Sequence, residues 1–262
     1  MSKILVPTDF SATARNAIAY AIRMAKQVDA GLVIFHANDP ASVRTDEEVQ
    51  AAMDQLRLDI EPGLFGLRSI EYSARHGKLK DLLPTVASEF KVDLVLMGTN
   101  GVSGGDPYKW GSNAYSIIED SQVPVLVIPP EADYHGIQRL ALAVDYRSDF
   151  SQLPVIPLIK TLQLTGGEVF VLSILPTTSD NPPEAVMDVR MVGTMLKNVP
   201  HSFHYVYADK TEKAIVDFAK LQFVDVVIVL PKKHSWFKKL FNTSHTQNLV
   251  FQIATPVLAI GE

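Results

Sequence analysis

The segment GTNGVSGGDPYKWGSN, residues 98–113, carries glycines at 98, 101, 104, 105 and 111 and a serine at 112. It directly follows an apolar run and directly precedes a helical pattern, and that context gives the spacing Gly98-x2-Gly101-x9-Gly111-Ser112 chemical meaning. Glycines let backbone amides approach phosphate oxygens and adopt positive φ, while the amides and dipole at a helix start favour an anion. Ser112 adds a hydroxyl to such a cradle. The competing reading is a glycine-rich surface loop with tight turns. A second group of polar residues ends the first apolar run: Pro7, Thr8 and Asp9, followed by Phe10. Asp9 is suited to accept hydrogen bonds from a ribose or a base, or to cap the helix that begins near Ser11, and the two roles are compatible. Open parallel sheets bind ligands beyond the carboxyl ends of their strands, where strand order reverses. On that edge Val6 to Phe10, with His36, Ala37 and Met97, are expected to line an adenine-sized slot.

The elements that must hold these residues are read from hydrophobic period. Ile4 to Pro7 is a short buried strand, and Ser11 then caps a helix with apolar residues at 14, 17, 18, 21, 22, 25 and 28, which Gly31 is expected to end. A strand follows at Leu32 to His36. Asp46, Glu47 and Glu48 open an acidic helix start whose inner face is Val49, Ala52, Met53 and Leu56. Strands at Ser69 to Ala74, Leu94 to Met97 and Val125 to Ile128, with helices from Leu79 to Phe90 and from Ser112, complete a unit of five strands and four helices. Short apolar runs alternating with helical pattern predict an α/β fold with a parallel sheet covered on both faces.

The second half repeats this order. KILVPTDF at Lys3 aligns with RLALAVDY at Arg139, FKVDLVLMG at Phe90 with QFVDVVIVL at Gln222, and QVPVLVIP at Gln122 with ATPVLAIG at Ala254. The spacing is 136 residues for the first pair and 132 for the others, so the copies differ by a few loop residues. Two domains are expected, 1–131 and 137–262, joined through Pro129, Pro130 and the polar run to Gly136. The second copy keeps Asp145 in the place of Asp9, but Leu230, Lys233 and Thr243 replace Gly98, Gly101 and Gly111, and no glycine occurs from 194 to 260. A cradle of backbone amides does not survive those changes. One nucleotide site per chain is therefore expected, in the first copy.

VPTDFS at the start, DLVLMGTNG at the fourth strand, GSNA at the next helix and VPVLVIP at the end resemble the universal stress protein family, over all of the first half and more faintly the second. The resemblance implies a Rossmann-like, five-stranded parallel fold of the adenine-nucleotide alpha hydrolase type. It implies that the chain binds ATP, with or without Mg2+, and acts as a nucleotide-responsive stress regulator. Carried over position by position, it implicates Pro7, Thr8, Asp9, Ala37, Met97, Gly98, Asn100, Gly101, Gly111, Ser112 and Asn113.

Composition bounds the remaining possibilities. The chain has 262 residues, 47% hydrophobic and 20% charged, and a net charge of -5, without the basic face that a nucleic acid partner requires. With no cysteine it has no disulfide, thiolate nucleophile or zinc-thiolate site, and the expected compartment is the cytoplasm. The start MSKILVPTDFS is not a signal peptide, and no apolar run approaches the ~20 residues of a spanning helix. His201 and His204, three apart on a strand, point to opposite faces and read as surface residues without a shared metal. The motif Ser103-Gly104-Gly105-Asp106 resembles the pyrophosphate loop of adenylating enzymes but follows the fourth strand instead of the first. No Walker lysine, nucleophile elbow or carboxylate pair is present, so ATP hydrolysis is expected to be slow or absent. A rival reading takes the basic and aromatic segment 232–241, with Trp236, as the centre of a nucleotide-free protein or lipid interaction module.

The final strands, Val125 to Ile128 and Val257 to Ile260, are apolar with an edge to cover, which predicts a pseudo-dimer within the chain and pairing between chains. Light scattering on the concentrated protein is expected to give twice the mass of one chain; a strict monomer removes the pairing between chains.

Overall fold

Residues 4–7 are buried without a break, as are 94–97 and 125–128, and strands buried on both faces are what a parallel sheet between two helical layers requires. The computed structural model describes residues 2–41, 44–99, 112–144, 154–178, 189–230 and 255–261. The chain divides into two compact units, Met1–Gly136 and Ile137–Glu262. The first contains β1 (Lys3–Pro7), α1 (Ala12–Gln27), β2 (Gly31–Asn38), α2 (Asp46–Ile60), a 3-10 turn (Glu61–Gly63), β3 (Ile70–His76), α3 (Leu79–Phe90), β4 (Leu94–Gly98), α4 (Ser112–Asp120) and β5 (Val125–Ile128). Its strand order is β3-β2-β1-β4-β5, all parallel.

Local chemistry explains the helix ends. Ser11 Oγ accepts from the Ala14 amide at 3.2 Å and starts α1, whose inner face is Ala14, Ala17, Ile18, Ala21, Ile22 and Ala25. Each fully buried Ile on that face contributes roughly 1.5–3 kcal/mol. Gly31 does not end this helix, contrary to the sequence expectation. Asp29 turns the chain at φ +51, and the Ala30 amide donates to the Ala25 carbonyl at 2.9 Å. Gly31 instead opens β2, where an added Cβ would stand 2.4 Å from Ser69 Oγ. At α2, Thr45 and Glu48 form a reciprocal capping box, which satisfies two amides that the helix leaves open.

The second unit contains β6 (Arg139–Val144), α5 (Val155–Thr165), β7 (Glu168–Leu175), α6 (Val189–Met195), β8 (His201–Tyr207), α7 (Thr211–Leu221), β9 (Val226–Val229) and β10 (Val257–Ala259). Its order, β10-β9-β6-β7-β8, is the arrangement of the first unit strand for strand. The repeat extends to side chains. Asp93 accepts the Lys3 amide at 3.0 Å, and Asp225 accepts the Gln138 and Arg139 amides at 2.7 and 2.9 Å. Two residues before each aspartate the backbone is left-handed, at Lys91 (φ +55) and Phe223 (φ +52). His204 is half-buried, its ring 4.8 Å from that of Phe170 and 5.2 Å from that of Phe218, and burial lowers its pKa; it is a packed residue and not the plain surface histidine expected. Among the described residues no helix is long and apolar enough to cross a membrane.

The polar segment after β5 is tied to α1. Asn16 Nδ2 donates to the carbonyls of Pro129 and Ala132 at 3.2 and 3.1 Å, and Arg23 pairs with Asp133. Tyr134 is 8% exposed, meets Tyr20 edge-on at 4.8 Å, and donates its hydroxyl to Gln27 Oε1 at 2.7 Å. This strap therefore belongs to the first unit's packing. Tyr134→Ala is expected to destabilise that unit by about 3 kcal/mol and Tyr134→Phe by about 1 kcal/mol, read from urea midpoints; an unchanged midpoint in Tyr134→Ala would make the strap a passive joint.

Candidate functional site

Strand order reverses at β1, because the chain leaves it towards β2 on one side and returns beside it as β4 on the other. The β1–β2 ladder runs to Pro7–Phe35, whereas the β1–β4 ladder stops at Leu5–Val95. The reversal at β1 is thus the place where an open parallel sheet offers a ligand its crevice.

Thr8 anchors the side of β1 that faces β2. Its amide donates to the Phe35 carbonyl at 2.8 Å, its carbonyl stands 2.8 Å from His36 Nδ1, and its hydroxyl accepts the Phe10 amide at 3.0 Å. Phe10 turns the chain at φ +65, a conformation that costs about 1–2 kcal/mol for a side chain with a Cβ. The turn brings the Ser11 amide 3.0 Å from Asp9 Oδ1, so Asp9 braces the start of α1 as its sequence position allowed. The Phe10 ring lies 4.6 Å from the His36 ring, and the Arg44 guanidinium stands 5.3 Å over Phe10, with Nη1 3.5 Å from the Asp9 carbonyl. Arg44 was not among the residues expected here. It is an isolated cation in the loop after β2, and only the fold brings it to the end of β1.

His36 is 5% exposed, and burial, the largest influence, lowers its pKa below 6.5; Arg44 lowers it further, while the Thr8 hydrogen bond and Asp9 oppose them. The ring is therefore neutral near pH 7. Because Nδ1 faces a carbonyl, Nδ1 carries the proton and donates, which leaves Nε2 as an acceptor. Among the described residues Nε2 is buried without a hydrogen-bond partner. Thr99 Oγ1, at the end of β4 on the other side of β1, is also buried and unpartnered. Each such group costs about 1–3 kcal/mol when nothing satisfies it. Sequence reasoning missed Thr99, which follows the glycine that draws attention to this turn.

Gly98 has a different role from the one its loop suggested. It does not adopt positive φ; an added Cβ would lie 2.8 Å from Thr13 Cγ2 and 3.0 Å from the Thr13 carbonyl, so glycine here lets β4 approach α1. Met97 is buried beside it and Ala37 is half-buried at the end of β2. Pro7, Thr8, Asp9, Phe10 and His36 form one connected group. Ser112 and Asn113 open α4. Asn100, Gly101 and Gly111 lie outside the described residues, as do Asp145 and residues 231–254 with Trp236.

Among the described residues two buried polar atoms at this edge lack partners, an acceptor on β2 and a hydroxyl just after β4, on the strands that flank β1.

Comparison with known proteins bears on the family and the fold. The family model for universal stress proteins matches residues 1–129. A universal stress protein of Methanocaldococcus jannaschii is 30% identical over 140 residues, covering 48% of this chain and 81% of that protein. The crystal structure of a universal stress protein from Archaeoglobus fulgidus is similar with a TM-score of 0.70 at 15% identity, over 99% of this chain and 96% of that one. A Pseudomonas aeruginosa protein described as functionally unknown is similar at TM-score 0.64 and 13% identity, over 100% and 92%. At these identities the two structures carry the fold alone.

The lowered pKa of His36 sets a sign for pH dependence. Above pH 6.5 the ring is neutral in both folded and unfolded chains and stability is full; below it the unfolded chain binds the proton first, so stability falls until the folded pKa is passed. His36→Asn keeps a donor for the Thr8 carbonyl and is expected to flatten the loss between about pH 6.5 and 5 in urea titrations of the first unit. A wild-type profile parallel to the variant's would show that His36 does not resist protonation.

Proposed function

The chain belongs to the universal stress protein family, and we propose that it binds ATP through its first unit and acts as a nucleotide-responsive regulator. The observation that carries this reading is the pair of buried, unpartnered polar atoms, His36 Nε2 and Thr99 Oγ1, on either side of the reversal at β1. A nucleoside brings donors and acceptors to such a place. An amino group on the base would satisfy the His36 acceptor, and the Thr99 hydroxyl takes either role. Asp9 would hold ribose hydroxyls while bracing α1, and Arg44 supplies a cation close to Asp9 and Phe10. The amides of the glycine segment and the start of α4 would take the phosphates, with Mg2+ entering as part of the nucleotide complex.

The second unit supports a single site per chain. Val144 and Ser173 are paired in register where Thr8 and His36 stand in the first unit, and Leu230 is 9% exposed in the place of Gly98. Neither the imidazole acceptor nor the glycine that admits close approach is repeated. We read the second unit as a partner domain with a degenerate loop. Binding at the first unit would engage the glycine segment that leads into α4, and a protein partner in the cytoplasm would read that change.

Isothermal titration of ATP with Mg2+ tests this. Wild-type protein is expected to saturate near one nucleotide per chain. Gly111→Val is expected to weaken binding by at least about tenfold, and Thr99→Val by about three- to tenfold for one lost hydrogen bond. No heat with wild-type protein overturns the proposal and favours a nucleotide-free interaction module. Phosphate release over many turnovers, abolished in Asp9→Ala, would instead make the chain a slow ATPase.

A further inference from the structure

The helical face formed by α3 and α4 carries a trough that none of the residues discussed above explains. On α3 one stripe faces it, made by Lys80, Pro84, Ala87 and Ser88 at spacings of four, three and one residues, a single face of a helix, and the C-cap Lys91 continues it. On α4 it is faced by Ser116, Ile117 and Asp120. Ala87 and Ser88 on one stripe and Ser116 on the other are small, so the helices do not fill the space between them. A cavity of about 330 Å³ results, at the lower end of the range for small-molecule sites. Its floor is apolar: Leu83, Ile117 and Val123 are joined there by Val92. Protein faces that meet are normally packed to crystal density, and an apolar trough of this size left between two helices is a place for a ligand body.

Charge fixes the kind of ligand. Strands β3, β4 and β5 are parallel, so α3 and α4 run in the same direction and their carboxyl ends lie together. Lys91 therefore shares its end of the trough with Asp120 and the polar turn of Ser121 and Gln122, where the Ser121 hydroxyl donates to the Val123 carbonyl at 2.6 Å. Lys80 stands at the opposite end, eleven residues earlier on α3, with no carboxylate among the lining residues at that end. Among the described residues neither Lys80 nor Lys91 makes an ion pair. We propose that this trough is a binding site for a small monoanionic amphiphile, a molecule with an apolar chain or ring of about ten heavy atoms and one carboxylate-like head. The chain lies over Leu83, Ala87, Val92 and Ile117, and the head meets Lys80. The site is on a helical face and does not depend on the nucleotide reading of the sheet edge.

Octanoate, n-octanol and octyltrimethylammonium are the probes, titrated into the full chain and followed by amide chemical shifts. Octanoate is expected to give saturable shifts confined to residues 80–92 and 116–123. Ser88→Trp, at an exposed helix position that the fold tolerates, fills the trough and should weaken octanoate by at least about tenfold. Lys80→Gln should weaken octanoate about two- to fivefold and leave n-octanol unchanged, as for an ion pair at a wet rim. ATP titration of both variants is expected to match wild type, which separates this outcome from any failure of the nucleotide proposal. The inference is overturned by the absence of saturable shifts with octanoate, by equal binding of octyltrimethylammonium, or by octanoate shifts that persist in Ser88→Trp. Trough shifts that follow protein concentration and ignore octanoate also overturn it, and would make the face a protein interface.

Discussion

The geometry of the first unit depends on how β1 ends. Thr8 is tied to β2 through its amide and its carbonyl, and to its own turn through its hydroxyl, so the strand is pinned on one side at the residue where it leaves the sheet. Among the described residues nothing equivalent ties it to β4, whose ladder with β1 has already stopped. The pairing of β1 is therefore asymmetric, longer on the β2 side than on the β4 side. The same strand end aims α1, because the left-handed Phe10 and the Asp9–Ser11 hydrogen bond set the direction in which the helix departs. The cost of placing Phe10 in that conformation is offset by three hydrogen bonds at Thr8 and by the stacking of Phe10 on His36.

Much of this was legible in the sequence. The strands were visible because residues buried on both faces must be apolar in succession, as Ile4 to Val6 and Leu94 to Met97 are. A capping serine located α1, an acidic first turn located α2, and the spacing of the two halves announced the repeat. What was not legible depends on partners far along the chain. Gly31 looked like a helix stop, but its lack of a side chain serves contact with Ser69. Gly98 looked like a residue chosen for backbone freedom, yet it answers to Thr13. Arg44 and Thr99 carry no local pattern; only the fold brings Arg44 beside Asp9 and sets Thr99 across β1 from His36. The burial that shifts His36 is likewise a property of packing and not of spacing.

The two units show which features serve the fold and which serve the edge. Asp93 and Asp225 hold the first amides of β1 and β6, and Lys91 and Phe223 make the same left-handed turn, although one side chain is charged and the other aromatic. Those requirements are mechanical and both copies meet them. At the other end of the sheet the copies part: Thr8 becomes Val144 and His36 becomes Ser173, whose hydroxyl is buried and unpartnered in turn. A polar atom has persisted on the second strand at that register while its chemistry changed. The sheet therefore constrains where a polar group is placed more tightly than which group it is.

The strap that follows β5 bears on how such units are exchanged between genes. A segment copied only as far as Ile128 would leave Asn16 without the two carbonyls it donates to and would uncover the flank of Tyr20. A segment copied to Gly136 carries its own cover. The heritable module in this half of the chain is thus longer than the sheet it encloses. A recombination breakpoint after Gly136, where φ is +102, would preserve both the packing of α1 and the lead into Arg139, whereas one a few residues earlier would transmit a unit with an open seam.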